Sequence, residues 1–498
     1  MHYWHLFRSY INSPVTIEPR VKRVNNGIIK IGTWFHFETS ICLCAHVPGH
    51  SIRETADTMS SRYRDMKQRR KELMAQMEPN SIALLPAAPP RIRNNDAEYL
   101  YRQNSDFYYL SGLAEEDALL ALIPGRKQGE AILFCQEKNK EKELWTGVLL
   151  GPDAACEQLQ MDDAYPISDI DDILPGLIEG RDRVYYAMGK DDQFDNRVMD
   201  WVKVIRGKVK QGAHPPGEFL VLDHLLHELR LIKSKQEIAL MEQAAKISAE
   251  GHRRAMAYCQ PGVKEYELEA ELHYAFTRGG SRAPAYSSIV AAGDNACILH
   301  YHSNNAVIND GDLVLIDAGC EFDHYASDIT RTFPANGKFS PEQKAIYEIV
   351  LNAQLAAIEA VQPGNPWDAP HNASVRVITQ GLIKLGLLKG RASQLIKSEA
   401  YREFYMHRVG HWIGMDVHDV GDYKIDSKWR LMEPGMVTTI EPGIYIAPDN
   451  KRVGKNWRGI GVRIEDDVLV TKTGNRILST GIPKTVKEIE TFMAQSVH

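Results

Sequence analysis

Little in this sequence belongs to a specialised class of protein. Seven cysteines, at 42, 44, 135, 156, 259, 297 and 320, are scattered over 498 residues. That spacing excludes the dense disulfide framework of small secreted domains and suits a reducing compartment. No run of about eighteen apolar residues occurs, so no transmembrane helix is expected. The longest apolar stretch near the N-terminus, residues 28–47, is broken by Lys30, His36, Glu38 and His46. A basic excess is missing too. The net charge is −6, which argues against nucleic acid or an anionic membrane as a partner. Cys42 and Cys44 near His46 could form half of a metal site, but the second half is absent.

What is present is an ordinary globular composition, 44% hydrophobic, over a length sufficient for two or three domains. Residues 1–58 show neither helical nor strand periodicity and no secretory apolar core. Six Lys/Arg against four Asp/Glu make them a poor match to an acid-poor transit peptide. They read as an unstructured or mis-assigned extension, with Met59 as the start. Periodicity begins with "MSSRYRDMKQRRKELMAQM", a charged helix with apolar Met66, Leu73 and Met77. Strand-like runs at 82–85, 118–123, 131–135 and 184–188 alternate with helical stretches, which predicts an α/β domain over 59–230. A loop is expected at "QGAHPPGEF", 211–219. Ser234 and Glu237 form a capping box that opens a helix near 235 and a second domain over 231–498.

The second domain repeats itself. A helix ends at Gln260-Pro261-Gly262, and another, opened by Ser340-Pro341, ends at Gln362-Pro363-Gly364. The following strands match as well. In "DGDLVLIDAG" and "EPGMVTTIEPG", Gly311, Asp317 and Gly319 correspond to Gly435, Glu441 and Gly443. Two helix–helix–strand units of one kind predict a pseudo-two-fold domain in which Asp317 and Glu441 occupy equivalent places. Each half adds a further acid, Asp328 in "YASDITRTF" and Glu465 in "GVRIEDDVLV", and histidines precede each strand: His300, then His407, His411 and His418.

A buried carboxylate is costly unless it is paired or neutralised by a cation. Four of them with an imidazole and no thiolate favour Mn²⁺, Co²⁺ or a carboxylate-bound Zn²⁺ pair. Two adjacent metals suit amide hydrolysis, and spare histidines suit proton transfer or oxyanion stabilisation. His407 and His411 have the spacing of a zinc helix, but Arg408 replaces the required Glu, and Gly410 and Gly414 argue against a helix.

The segments "LVLIDAGCEFDHYASDITRTFP", "HWIGMDVHDVG", "TIEPGIYI" and "RGIGVRIEDD" resemble the metal-site motifs of the pita-bread metallopeptidases. "DAEYLYRQNSDFYYLSGL" (96–113) resembles the N-domain signature of the bacterial-type aminopeptidase P, or Xaa-Pro aminopeptidase, family. The resemblance covers about 59–490. It implies an α/β (α+β) protein with an α/β N-terminal domain and a pita-bread catalytic domain. It also implies an enzyme that hydrolyses the bond between an N-terminal residue and a penultimate proline, by a hydroxide bridging two divalent metals, usually Mn²⁺. By the same resemblance Asp317, Asp328, His411, Glu441 and Glu465 are metal ligands, with Asp328 and Glu465 bridging and Glu441 handling the water's proton.

His300 and His418 are then the pair that holds the scissile carbonyl oxygen and the leaving nitrogen. Arg463 and Tyr286 orient ligands, and His407 and Tyr445 line the proline pocket. Trp145 and Asp96 reach a neighbouring subunit's site in the family's tetramers. A cytoplasmic homo-oligomer, dimer or tetramer, acting on peptides is the expectation. The chain departs from close bacterial relatives at Arg408-Val409-Gly410, commonly Gly-x-Ser, and at Val148-Leu149, often arginines. A prolidase restricted to Xaa-Pro dipeptides is the enzymatic alternative, although the N-domain pattern favours the aminopeptidase. A non-catalytic binding protein of the same fold is the other alternative; such relatives lose metal ligands, whereas this chain carries all of them.

Overall fold

The computed structural model describes residues 56–496. The Cys42/Cys44/His46 group and residues 1–55 of the expected extension lie outside the described residues. The first helix, Ala56–Gln76, begins three residues before the expected Met59.

The N-terminal part is built on a six-stranded sheet. Its order is Asp163–Pro166, Ala131–Cys135, Leu119–Leu122, Ser81–Pro86, Arg183–Tyr186, Glu218–Val221. Ser81–Pro86 runs antiparallel to Leu119–Leu122 and parallel to Arg183–Tyr186. The apolar runs are continuous because both faces are covered. Alternate side chains feed two separate cores. Ile82 and Leu84 pack with Leu174, Val184 and Trp201, whereas Ala83 and Leu85 pack with Leu73, Phe107 and Leu122. The loop expected over 211–219 gives way at Glu218 to an edge strand. The Gly- and Pro-rich stretch leading into it masked its start, and its ladder is supplied from one side by Arg183–Tyr186.

The capping box holds as expected: the Ser234 amide donates to Glu237 Oε2 at 2.9 Å and the Glu237 amide to Ser234 Oγ at 3.3 Å. It opens Lys235–Tyr258, which packs with Glu265–Arg278. The second pair, Pro341–Glu359 and Ala369–Lys384, opens on another capping box at Ser340 and Gln343. Each helix pair precedes a sheet. In the first half Leu313–Asp317 lies between Ile289–Ala292 and Thr330–Pro334. In the second, Val437–Ile440 pairs with Asp466–Thr471, and Gly443–Ile446 with Ile460–Arg463. Asp317 thus ends one core strand and Glu441 follows the other.

No helix among the described residues is long and apolar enough to cross a membrane. The five described cysteines are free thiols.

Candidate metal centre

Strand ends deliver the acids. Asp317 is the last residue of Leu313–Asp317. Asp328 returns beside it because the backbone folds tightly at Gly319, where a Cβ would meet Ser327 O at 1.8 Å. Glu465 lies between Ile460–Arg463 and Asp466–Thr471. His411 sits on a loop laid along Val437–Ile440: the Thr439 amide donates to His411 O at 2.9 Å and the Glu441 amide to Val409 O at 2.7 Å. That approach requires Gly410, whose Cβ would stand 1.9 Å from Thr439 O. The two halves converge on a cavity of about 560 Å³ lined by Asp317, Asp328, His411, Glu441 and Glu465.

Ligating atoms of Asp328, His411 and Glu465 lie within 4.8 Å of one another. His411 Nε2 is 3.4 Å from Asp328 Oδ2 and 3.7 Å from Glu441 Oε1. Its other nitrogen, Nδ1, is 3.0 Å from the Trp412 carbonyl. A proton on Nδ1 donated there leaves the Nε2 lone pair facing the acids, the arrangement a metal-binding imidazole needs.

The acids are held by a fixed frame. The Tyr286 hydroxyl lies 2.7 Å from Asp317 Oδ1 and 2.5 Å from Asp328 Oδ1. Arg463 donates to Asp317 Oδ2 at 2.6 Å and to the Tyr445 hydroxyl at 2.9 Å. The Thr330 hydroxyl donates to Glu465 Oε2 at 2.6 Å. His407 Nε2 is 2.9 Å from the Tyr445 hydroxyl.

Electrostatics show too much negative charge in one place. Burial and the neighbouring acids push Glu465 well above the usual carboxylate range. Burial pushes Glu441 up to about 7 against the pull of His411 and Arg463, and raises Asp317 as well. Burial also works against a charged His411, yet the Asp328 hydrogen bond and the Glu441 charge outweigh it and push His411 up to about 9. In return His411 holds Asp328 below its ordinary value, against burial. One guanidinium and one imidazole therefore face four buried carboxylates. Added cations relieve that imbalance, and an oxygen-rich donor set with one imidazole fits hard divalent ions. The residues present fit a metal centre.

Of the other expected residues, Tyr286, His300, His407, His418 and Arg463 line the same cavity. The His418 ring stands 4.5 Å from that of His411, edge to face, and burial lowers its pKa. Tyr445 reaches the site through Arg463 and His407. Trp145, 86% exposed on the helix Lys140–Thr146, and Asp96, exposed in the hairpin turn between Ile92–Asn94 and Ala97–Glu98, do not join the cavity of their own chain.

Sequence reasoning missed Thr330, the cavity-lining His302, and a charged network behind the site. Arg230, almost wholly buried, donates to Asp106 at 2.7 Å, to Asp416 at 2.8 Å and to Asp419 at 2.6 Å. Lys233 adds a 2.9 Å bond to Asp419. Ser105 donates to Asp416 at 2.6 Å and Arg102 to Met415 O at 2.8 Å. The "RQNSDF" run of the N-terminal part thereby clamps the loop that carries His418. The polar run "RQNSDF" was the visible signal, but the partners named here are 124 to 313 positions away.

Comparison with known proteins places the chain in a class. Residues 239–472 match the model of metallopeptidase family M24, and residues 66–185 match the aminopeptidase P N-terminal domain. The chain is 46% identical to the Xaa-Pro aminopeptidase of Escherichia coli K12 over 86% of its length and 97% of that protein's. It superposes on the Pseudomonas aeruginosa aminopeptidase PepP with TM-score 0.87 and 63% identity, covering 87% of this chain and 98% of the other. A zinc-substituted E. coli aminopeptidase P in complex with product matches with TM-score 0.85 and 45% identity, over 87% and 98% of the two chains. The chain belongs to the Xaa-Pro aminopeptidases of metallopeptidase family M24.

Proposed function

We propose that the chain removes the N-terminal residue from peptides whose second residue is proline, as a metal-dependent aminopeptidase of two domains, 59–230 and 231–498. The observation that carries this is the convergence of Asp317, Asp328, His411, Glu441 and Glu465 on one cavity in a chain 46% identical to an Xaa-Pro aminopeptidase. These five residues would hold two divalent ions, with Asp328 and Glu465 among the ligands and Mn²⁺ as the ion the family resemblance implies. When bound, such ions lower the pKa of a water and polarise the scissile carbonyl.

The chain's own residues do the rest. Tyr286, Thr330 and Arg463 keep the carboxylates oriented, so little reorganisation accompanies reaction. Glu441, facing the cavity beside His411, is placed to take and return the water's proton. His300 and His418 hold the carbonyl oxygen and the leaving nitrogen. The part of the cavity that His407 lines, with Tyr445 hydrogen-bonded behind it, takes the proline ring. Trp145 and Asp96 serve a neighbouring subunit's site in a homo-oligomer, dimer or tetramer, of a cytoplasmic enzyme.

The test offers Mn²⁺-loaded protein an Xaa-Pro-Yaa tripeptide and an Xaa-Pro dipeptide. Turnover of the tripeptide is expected; turnover of the dipeptide alone assigns a prolidase instead. Asp328→Asn is expected to lose both metal content and activity. Survival of both would falsify the metal-centre reading.

A further inference from the structure

Beside the acid cavity lies a second one of about 570 Å³, and Arg408 and Gly410 line both. Its other walls are Trp367, Tyr423, Trp429, Lys424 and Asp422. The aromatic wall is rigid. The Trp367 ring is 4.4 Å from Tyr423 and 5.7 Å from Trp429, and Tyr423 stacks at 3° on buried Trp412. Trp429 is held by the hairpin Lys424–Ile425/Lys428–Trp429. Its two turn residues, Asp426 and Ser427, have φ of 49° and 63°, the conformation that closes a two-residue hairpin tightly.

Two cations lie over this wall. Arg408 Cζ is 5.2 Å, and Lys424 Nζ 4.3 Å, from the Trp429 ring centroid. Neither forms an ion pair with a carboxylate of the described residues, and Asp422 is the single acid on the walls. A guanidinium resting on an aromatic face has its plane fixed while its N–H donors stay open. The segment is also pinned: the Glu441 amide holds Val409 O at 2.7 Å, and His407 bonds Tyr445. Arg408 therefore stands one residue beyond the pocket that the proposed function gives to the proline ring.

We propose that this second cavity is a subsite for the part of the peptide that follows the proline, and that it selects a carboxylate there. Arg408 and Lys424 hold the carboxylate, and the Trp429 face packs the residue that bears it. Two sources present the same chemistry: the α-carboxylate of a tripeptide, or an acidic side chain in a longer peptide. The inference rests on reading the acid cavity as a proline-specific peptidase site.

The test compares kcat/KM of the Mn²⁺-loaded full chain on Ala-Pro-Leu, Ala-Pro-Leu-amide and Ala-Pro-Glu-amide. A parallel arm titrates Pro-Leu and Pro-Leu-amide into the same protein by calorimetry. Because the contact is partly solvated, a carboxylate preference of roughly three- to tenfold over the neutral amide is expected, expressed in KM. Preference for Ala-Pro-Leu identifies the α-carboxylate as the source, and preference for Ala-Pro-Glu-amide the side chain. Arg408→Gln brings the ratio to about one, and Arg408→Lys retains part of it. A wild type that does not distinguish acid from amide overturns the subsite, as does an Arg408→Gln protein with the wild-type ratio. If no peptide turns over but Pro-Leu still binds more tightly than its amide, the peptidase reading fails and the subsite stands.

Discussion

Replacing Arg230 by Gln removes the cation shared by Asp106, Asp416 and Asp419, whose side chains are 15%, 39% and 1% exposed. The half-exposed Asp416 recovers solvation and loses little. Asp419 keeps Lys233, 2.9 Å away and equally buried. Asp106 is left with His227, 3.5 Å off. Breaking a buried pair on one side costs about 3–5 kcal/mol, and the surviving Lys233 contact puts this case at the low end, about 3 kcal/mol.

For a folded segment of about 440 residues, an unfolding entropy near 2.1 cal/mol/K per residue converts that loss into a Tm lower by about 3 °C. The loop carrying His418 loosens at the same time, so kcat on an Xaa-Pro-Yaa tripeptide falls by roughly ten- to a hundredfold. Calorimetry and initial rates on Arg230→Gln are compared with Lys203→Gln, whose exposed pair with Asp200 is expected to move neither. A Tm within about 1 °C of wild type, together with unchanged kcat, would show that the N-terminal part does not brace the site.

Two further perturbations follow from the same geometry. Gly410→Ala sets a methyl against the Thr439 carbonyl and is expected to cost about 1–3 kcal/mol by overpacking. It should also lower Mn²⁺ content by displacing His411, read by thermal unfolding and metal analysis. His252, wholly buried with Nε2 2.9 Å from Ala318 O, has its pKa lowered by burial to about 4. The unfolded chain binds this proton near pH 6.5 and the folded one does not. The contribution of His252 to stability is therefore complete above pH 6.5 and is lost as pH falls toward 4, by up to about 3 kcal/mol. Urea titrations of metal-free wild type and His252→Gln should show a shallower pH dependence in the variant over that window.

By itself the sequence picked out the acids and histidines that line the cavity. Asp317 and Glu441 could be paired from the repeated Gly-to-acid spacing, because a strand fixes how far a residue lies from its turn. Helix starts at Ser234 and Ser340 were legible because capping is a local exchange of side-chain and backbone hydrogen bonds. Asp328, Glu465 and His411 were legible through family motifs, which record the outcome of folding without explaining it. What the tertiary structure alone decided is contact over long separations. Arg230 meets Asp106 and Asp419 across 124 and 189 positions, and no periodicity encodes such a pairing. The edge strand Glu218–Val221 forms because a neighbour offers it a ladder. Arg408 acquires its place over Trp429 only when a hairpin folds back beside the acid cavity. Local rules position a side chain on its own element. Which charges then face one another depends on how the elements pack.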